Sequence, residues 1–160
     1  MRIVLPCLLA VLWSGCNCTG RGGPAACSTD GGGGTCFCDG GSCVCNGSAP
    51  CNQQCANDCT LTCNSSQSCV QSCGSTCTVD CHNSGDCSAE VGPGSQVTCR
   101  NSGECRVDCS GPCTIICAAS QGCIATGCSS TSCTMGCPGS ESSHCTDGGF
   151  SAVVCNHACQ

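Results

Sequence analysis

Cysteine and aliphatic residues alternate with polar residues, with a period of two, in short segments along the middle of the chain. In the segment that begins at Cys59, the side chains of Cys59, Leu61 and Cys63 fall on one side of an extended strand, and threonines fall on the other. Segments of this type begin every 18 residues at Cys59, Cys77, Ser95 and Cys113, and once more after 20 residues at Cys133. This alternation predicts a half-buried β-strand in each repeat.

A second alternating segment follows each first one after a five-residue loop, as at residues 69–73, 87–91 and 105–109. A turn rich in Gly, Pro or Ser then leads to the next repeat. Two strands, a loop and a turn make one 18-residue coil, and equivalent positions of successive coils stack about 4.8 Å apart. The sequence therefore predicts an all-β fold, a narrow β-solenoid with two short strands per coil over residues 41–137.

Other parts of the chain interrupt or flank this register. One column at the middle of the loop contains only serines, whose hydroxyls can satisfy loop backbone groups: Ser48, Ser66, Ser84, Ser102 and Ser120. After Cys123 the spacing slips, so we expect residues 138–160 to form an irregular final coil that caps the solenoid. Residues 16–40 hold two Gly-rich runs and are expected to form a flexible tether.

Composition shows what must stabilise these coils. The chain has 29 Cys and 23 Gly among 160 residues, but only two Phe, one Trp and no Tyr. Large apolar side chains are too few for an ordinary core, and disulfides take that role in many exported domains. Because the loops are short, we expect each bridge to stabilise the fold by about 2 kcal/mol.

The pairing of the cysteines follows from one gap in the pattern. Val91 and Ser95 stand where Cys73 and Cys77 stand one coil earlier, and two cysteines lost together indicate a bonded pair. Bridges are therefore expected to cross the turn as Cys55–Cys59, Cys73–Cys77, Cys109–Cys113, Cys128–Cys133 and Cys155–Cys159. The opposite edge is expected to be closed by Cys45–Cys51, Cys63–Cys69, Cys81–Cys87, Cys99–Cys105, Cys117–Cys123 and Cys137–Cys145. Bridges between stacked coils are the alternative, because the rise lies within the Cα range of a disulfide.

The N-terminal segment is typical of an export signal. One positive charge at Arg2 precedes an apolar run that is too short to span a bilayer, and small residues lead to Cys16. We therefore expect residues 1–15 to be a signal peptide.

The sequence Leu12-Trp13-Ser14-Gly15-Cys16 resembles the lipobox of bacterial lipoproteins, and the whole chain is similar to short Cys-rich repeat lipoproteins of Gram-negative bacteria. The resemblance implies that Cys16 is diacylated and anchors the protein to a membrane. It also implies that the protein is carried to the outer membrane. Lipoproteins retained in the inner membrane commonly have Asp after the lipidated Cys, and this chain has Asn17 there. Plain secretion is the alternative. Cys16 then joins a set of cysteines without an assigned partner: Cys18, Cys27, Cys36, Cys38 and Cys43.

Charge limits the partners and the chemistry. Four Arg, no Lys and ten carboxylates give a net charge of −6, which disfavours nucleic acid. No catalytic motif is present, and the histidines are separated in sequence, so we expect a non-enzymatic protein without a cofactor. Carboxylates stack as Asp86 with Glu104 and Glu90 with Asp108. They can attract Ca²⁺, although Arg100 and Arg106 offset part of their charge.

Three functions fit these observations. The first is a structural or adhesive envelope protein whose rod presents a polar face to a protein or a surface glycan. The second is a thiolate metal store, because two C-x-C pairs occur between residues 36 and 45. The third is ice or ligand binding. A column of mostly Thr residues resembles the ice-binding face of insect β-helical antifreeze proteins: Thr60, Thr78, Gln96, Thr114 and Thr134.

Overall fold

The regular structure of this chain consists of β-strands alone in the part that the structure describes. That part, in a computed structural model, comprises residues 17–20, 23–24, 27–28, 35–38, 40–118, 120–128, 132–138, 142–147 and 150–155. The predicted all-β solenoid is confirmed, with about five turns of roughly 18 residues each. The described residues include no helical segment with the length and hydropathy of a membrane span.

The strands are numbered along the chain. They are β1 (Asn17–Gly20), β2 (Gly23–Pro24), β3 (Cys27–Ser28), β4 (Thr35–Cys38), β5 (Gly41–Asn46), β6 (Cys51–Cys55), β7 (Cys59–Asn64), β8 (Ser68–Cys73), β9 (Thr78–His82), β10 (Asp86–Val91), β11 (Ser95–Arg100), β12 (Glu104–Cys109), β13 (Cys113–Ala118), β14 (Gly122–Thr126), β15 (Cys133–Gly136), β16 (Ser142–Asp147) and β17 (Phe150–Cys155).

Two sheets form the opposite walls of the solenoid. Sheet A has the order β15-β13-β11-β9-β7-β5-β1-β2, and sheet B has the order β16-β17-β14-β12-β10-β8-β6-β4-β3. From β5 to β15 in sheet A and from β4 to β14 in sheet B, neighbouring strands are parallel. Each coil therefore contributes one strand to each wall.

The register follows the sequence repeat. Leu61 pairs with Val79, Val79 with Val97, and Val97 with Ile115, each one coil apart. The last step in sheet A joins Ile115 to Met135 and is longer by two residues. Sheet B keeps its regular step as far as Thr126, so the additional residues lie between β14 and β15.

A thin seam of buried side chains lies between the sheets, with cysteines along both edges. Sheet A contributes Leu61, Val79, Val97 and Ile115, all fully buried. Sheet B contributes the column Gln53, Gln71, Ala89, Val107 and Ala125. Few large side chains take part, so the covalent bridges must carry much of the stability.

Two glutamines in this seam were not identified from the sequence. The Gln71 side-chain amide donates a hydrogen bond of 2.7 Å to Oε1 of Gln53. Nε2 of Gln53 donates to the carbonyls of Cys43 and Thr62 at 2.9 and 3.1 Å. Because a buried amide is costly without partners, this network is what permits polar side chains between the sheets.

Eleven disulfides connect described cysteines. Four expected bridges cross the turn: Cys55–Cys59, Cys73–Cys77, Cys109–Cys113 and Cys128–Cys133. Five expected bridges cross the loop at the other edge: Cys45–Cys51, Cys63–Cys69, Cys81–Cys87, Cys99–Cys105 and Cys117–Cys123. A Cys38–Cys43 bridge, which the sequence left unassigned, precedes them.

Two expected bridges, Cys137–Cys145 and Cys155–Cys159, are wrong, because Cys137 is bonded to Cys155. The reason is the direction of β17, which runs antiparallel to β14 and places Cys155 beside Cys123. Cys155 therefore occupies the edge position that the second cysteine of a loop bridge holds in the regular coils. Cys145 lies on β16, where its register partner on the antiparallel strand β17 is Ala152.

The expectation of a flexible tether over residues 16–40 is also corrected within the described positions. Strand β4 is parallel to β6 and places Cys38 beside Cys55, while β1 is antiparallel to β5. The physical reason is that Thr35-Cys36-Phe37-Cys38 has the same alternation as the repeats and can add a strand to sheet B. The expected signal peptide and Cys16 lie outside the described residues.

The loops also repeat from coil to coil. Ser66, Ser84, Ser102 and Ser120 are buried, as a role in satisfying the loop backbone requires, whereas Ser48, the first serine of the predicted column, is exposed. For example, the Ser102 hydroxyl lies 3.1 Å from the Arg100 carbonyl and 3.4 Å from that of Cys81, one coil earlier. Left-handed residues recur at matching positions of turn and loop: Gly40, Asp58, Thr76 and Gly94, and Gly47, Ser65, Asn83 and Asn101.

Candidate binding surface

The outer side of sheet A, called face A, presents the predicted polar column. Thr60, Thr78, Gln96, Thr114 and Thr134 are register partners on β7, β9, β11, β13 and β15, and all are exposed. Parallel pairing spaces these side chains about 4.8 Å apart. The branched Cβ of Thr restricts its rotamer, so the column is a stiff row of hydroxyl and methyl groups that Gln96 interrupts at its middle.

A charged cluster interrupts the second column of face A. There Thr62, Asp80, Thr98 and Ile116 are register partners and half-buried. Arg100 forms an ion pair with Oδ2 of Asp80 at 3.1 Å, and Nδ1 of His82 lies 3.6 Å from Oδ1. Arg100 therefore neutralises Asp80 on face A. The sequence pattern instead predicted that it would offset the stacked carboxylates of the other sheet.

The outer side of sheet B, called face B, carries those carboxylates. Glu104 pairs with Arg106 at 2.7 Å, and its backbone N–H donates to Oδ1 of Asp86 at 3.3 Å. These side chains line a shallow groove of about 250 Å³ together with Val70 and Ser88. Arg106 balances the charge of Glu104, whereas Asp86 accepts a hydrogen bond from a backbone N–H and keeps its negative charge.

A second groove, of about 280 Å³, lies nearer the turn edge of face B. Glu90 and Asp108 are register partners there and both are exposed. Ser72 and Ser110 also line the groove, and none of its lining residues is a Lys or Arg. The structure therefore places the two predicted carboxylates side by side, with hydroxyl groups around them.

Cysteine sulfurs form three close groups in the described part of the chain. The Sγ atoms within each lie within 4.8 Å of one another: Cys109, Cys113, Cys128 and Cys133; Cys55, Cys59 and Cys73; and Cys69, Cys81 and Cys87. All ten are in disulfides, as are Cys38, Cys43 and Cys45 of the C-x-C segment. A thiolate metal store would first require reduction of these bridges.

Comparison with family models, curated proteins and solved structures found no match to this chain.

Proposed function

We propose that this chain is a non-enzymatic structural or adhesive protein of the cell envelope. Diacylated Cys16 holds it at the outer membrane, and the solenoid presents its polar faces to a protein or a surface glycan. The observation that carries the proposal is the pattern of bridges, which cross the loop edge of every regular coil and the turn edge of all but one.

The bridges favour binding through a preorganised surface. Each covalently closed coil holds its outward side chains in a fixed register, so binding orders few additional groups. The grooves of face B, at about 250 and 280 Å³, are smaller than the roughly 300–1,000 Å³ of typical small-molecule sites. A partner that lies along several coils therefore fits the surface better than a small substrate does.

The disulfides and the net charge support the proposed location and anchor. The number of disulfides fits an oxidising extracellular or envelope compartment. The net charge of −6 gives the body no attraction to anionic headgroups, so membrane attachment requires the acyl chains on Cys16.

Fractionation of wild type and Cys16→Ser with palmitate labelling tests the anchor. We expect wild type to be labelled and membrane-bound, and Cys16→Ser to be soluble with its bridges intact. If the wild-type protein is soluble and unlabelled, it is secreted and carries no lipid anchor.

Sedimentation with isolated envelope glycan or surface protein tests the adhesive role. Purified Cys16→Ser protein should sediment with one of these when it is oxidised, and it should no longer do so after full reduction. Equal sedimentation in both states would exclude the solenoid surface as the adhesive element.

The exposed column of face A favours ice binding as a second candidate. Thr60, Thr78 and Thr114 repeat in register on a braced sheet, which is the feature shared with insect antifreeze proteins. If face A binds ice, Thr78→Lys should abolish thermal hysteresis, while Ser88→Lys on face B leaves it unchanged. Absence of hysteresis in wild type would remove this candidate.

A further inference from the structure

The turn bridges of the last two coils lie against each other. Sγ of Cys113 is 3.2 Å from Sγ of Cys133 and 3.9 Å from Sγ of Cys128. Cys113 is bonded to Cys109 and Cys133 to Cys128. All four Sγ atoms lie within 4.8 Å of one another, whereas the other two sulfur groups have three members each. We call these four residues the sulfur cluster.

The break in the repeat creates this contact. Gly127, the register equivalent of Cys109 one coil later, has a φ of 71° and precedes Cys128 in the turn. The side chain of Cys128 is buried against the bridge below it. Cys113 and Cys133 are register partners on β13 and β15. Their Cα atoms are thus about 4.8 Å apart, inside the range that a disulfide spans.

Access to the cluster is through one residue. Cys109, Cys113 and Cys128 are buried, whereas Cys133 is partly exposed. The hydroxyl oxygen of Ser132 lies 3.9 Å from Sγ of Cys133, at a distance from which it can donate a weak hydrogen bond to a thiolate there. An incoming thiol therefore meets Cys133 first.

We propose that the sulfur cluster is a thiol–disulfide exchange site for dithiol reductants, in which two bridges within coils are converted into one bridge between coils. A thiolate of the dithiol attacks Sγ of Cys133, and the bond to Cys128 breaks to leave the Cys128 thiol. The second thiol of the reductant then closes its own disulfide and releases Cys133 as a thiolate. The Cys133 thiolate attacks Sγ of Cys113, the Cys109–Cys113 bond breaks, and Cys109 leaves as a thiolate that takes up a proton.

The electrons balance in this sequence. The dithiol loses two electrons and two protons, and the protein gains them as thiols on Cys109 and Cys128. The new Cys113–Cys133 bridge joins β13 directly to β15. Two-electron reduction thus produces one thiol from each of two different bridges, whereas simple reduction of one bridge produces both thiols from the same bridge.

Limited reduction of the wild-type protein with one equivalent of dithiothreitol tests this assignment. The reaction is quenched with acid, free thiols are alkylated with N-ethylmaleimide, and peptides are mapped without further reduction. We expect label on Cys109 and Cys128 together with a linked Cys113–Cys133 peptide. The Cys99–Cys105 bridge, which belongs to no sulfur group, is the internal control: any fraction of it that is reduced should carry label on both of its own cysteines. Label on Cys128 and Cys133 with Cys109–Cys113 intact would overturn the proposal.

A matched variant gives an independent readout. Cys109→Val/Cys113→Ser copies the Val91 and Ser95 pair that occupies these positions one coil earlier, so the fold has a precedent for it. In this variant limited reduction should label Cys128 and Cys133 together, because the internal acceptor is gone. Label at Cys128 alone in the variant would show that Cys133 has another acceptor, and the assignment of Cys113 would be wrong.

Discussion

The hydroxyl of Ser95 accepts a hydrogen bond of 3.1 Å from the backbone N–H of Cys77, one coil earlier. The same hydroxyl lies 3.4 Å from the carbonyl of Gly74, to which it donates. Val91 fills the opposite position and is only 3% exposed. At the turn edge, this coil is therefore held by hydrogen bonds to the coil before it, whereas the turns before and after it are closed by disulfides.

Restoring the missing cysteines should form another bridge. Turn bridges before and after this site have Cα separations of 6.4 Å, so Val91→Cys/Ser95→Cys should oxidise without backbone movement. The bridge contributes about 2 kcal/mol, and loss of the Ser95 hydrogen bonds costs about 1 kcal/mol. We expect a net gain of about 1 kcal/mol and a Tm about 2–4 °C higher. Each single variant should keep one free thiol and lose stability. Two free thiols in the double variant would contradict the prediction.

The buried glutamines should differ in importance. Gln71→Val removes one hydrogen bond and leaves Oε1 of Gln53 unsatisfied, which should cost about 1–3 kcal/mol. Gln53→Val should cost more, because the carbonyls of Cys43 and Thr62 and the amide of Gln71 all lose a partner. Unfolding in guanidinium chloride with bridges intact measures both. A smaller loss for Gln53→Val than for Gln71→Val would show that the network does not stabilise the seam.

The turn at Gly74 should not accept a side chain. A Cβ there would overlap the backbone carbonyl of Ala56 and the side chain of Asn57 in the preceding coil. Gly74→Ala should therefore lower the free energy of unfolding by about 1–3 kcal/mol. Gly136→Ala is the control, because its nearest neighbour would be 3.9 Å away, at ordinary contact distance. Equal effects of the two variants would mean that the coils can separate at the turn without cost.

Complete reduction should unfold the solenoid. The apolar seam is thin, so loss of about 2 kcal/mol per bridge over the bridged coils exceeds the stability of an ordinary domain. Far-UV circular dichroism should show loss of the β signal in excess reductant. Untreated protein at the same temperature should keep it. Unchanged thermal stability after full reduction would show that packing alone holds the fold.

The regular part could be predicted because its information is local. One period sets both sheets, and the joint absence of cysteine at Val91 and Ser95 distinguishes bridges within coils from bridges between them. The final hairpin could not be predicted in this way, because spacing does not encode whether β17 runs parallel or antiparallel to β14. That direction decides whether Cys137 meets Cys145 or Cys155.

The surface was predictable only in part. Alternation correctly placed the threonines of face A outside. It could not find the Asp80–Arg100 ion pair, because this contact joins different columns of neighbouring strands and depends on how far the Arg side chain reaches. Likewise, the alternation puts Gln53 inside, but only the spacing of the sheets shows which carbonyl groups accept hydrogen bonds from its amide.

Bridges that close within a coil also affect how such a gene can change length. Deletion of residues 65–82 would remove one full repeat and leave Cys63 and Cys87 at the separation that Cys63 and Cys69 now have. The two would form an ordinary loop bridge, and no cysteine would lose its partner. Unequal recombination between repeats can therefore shorten or lengthen the rod in single steps, each of which leaves every cysteine of the regular coils with a bonding partner.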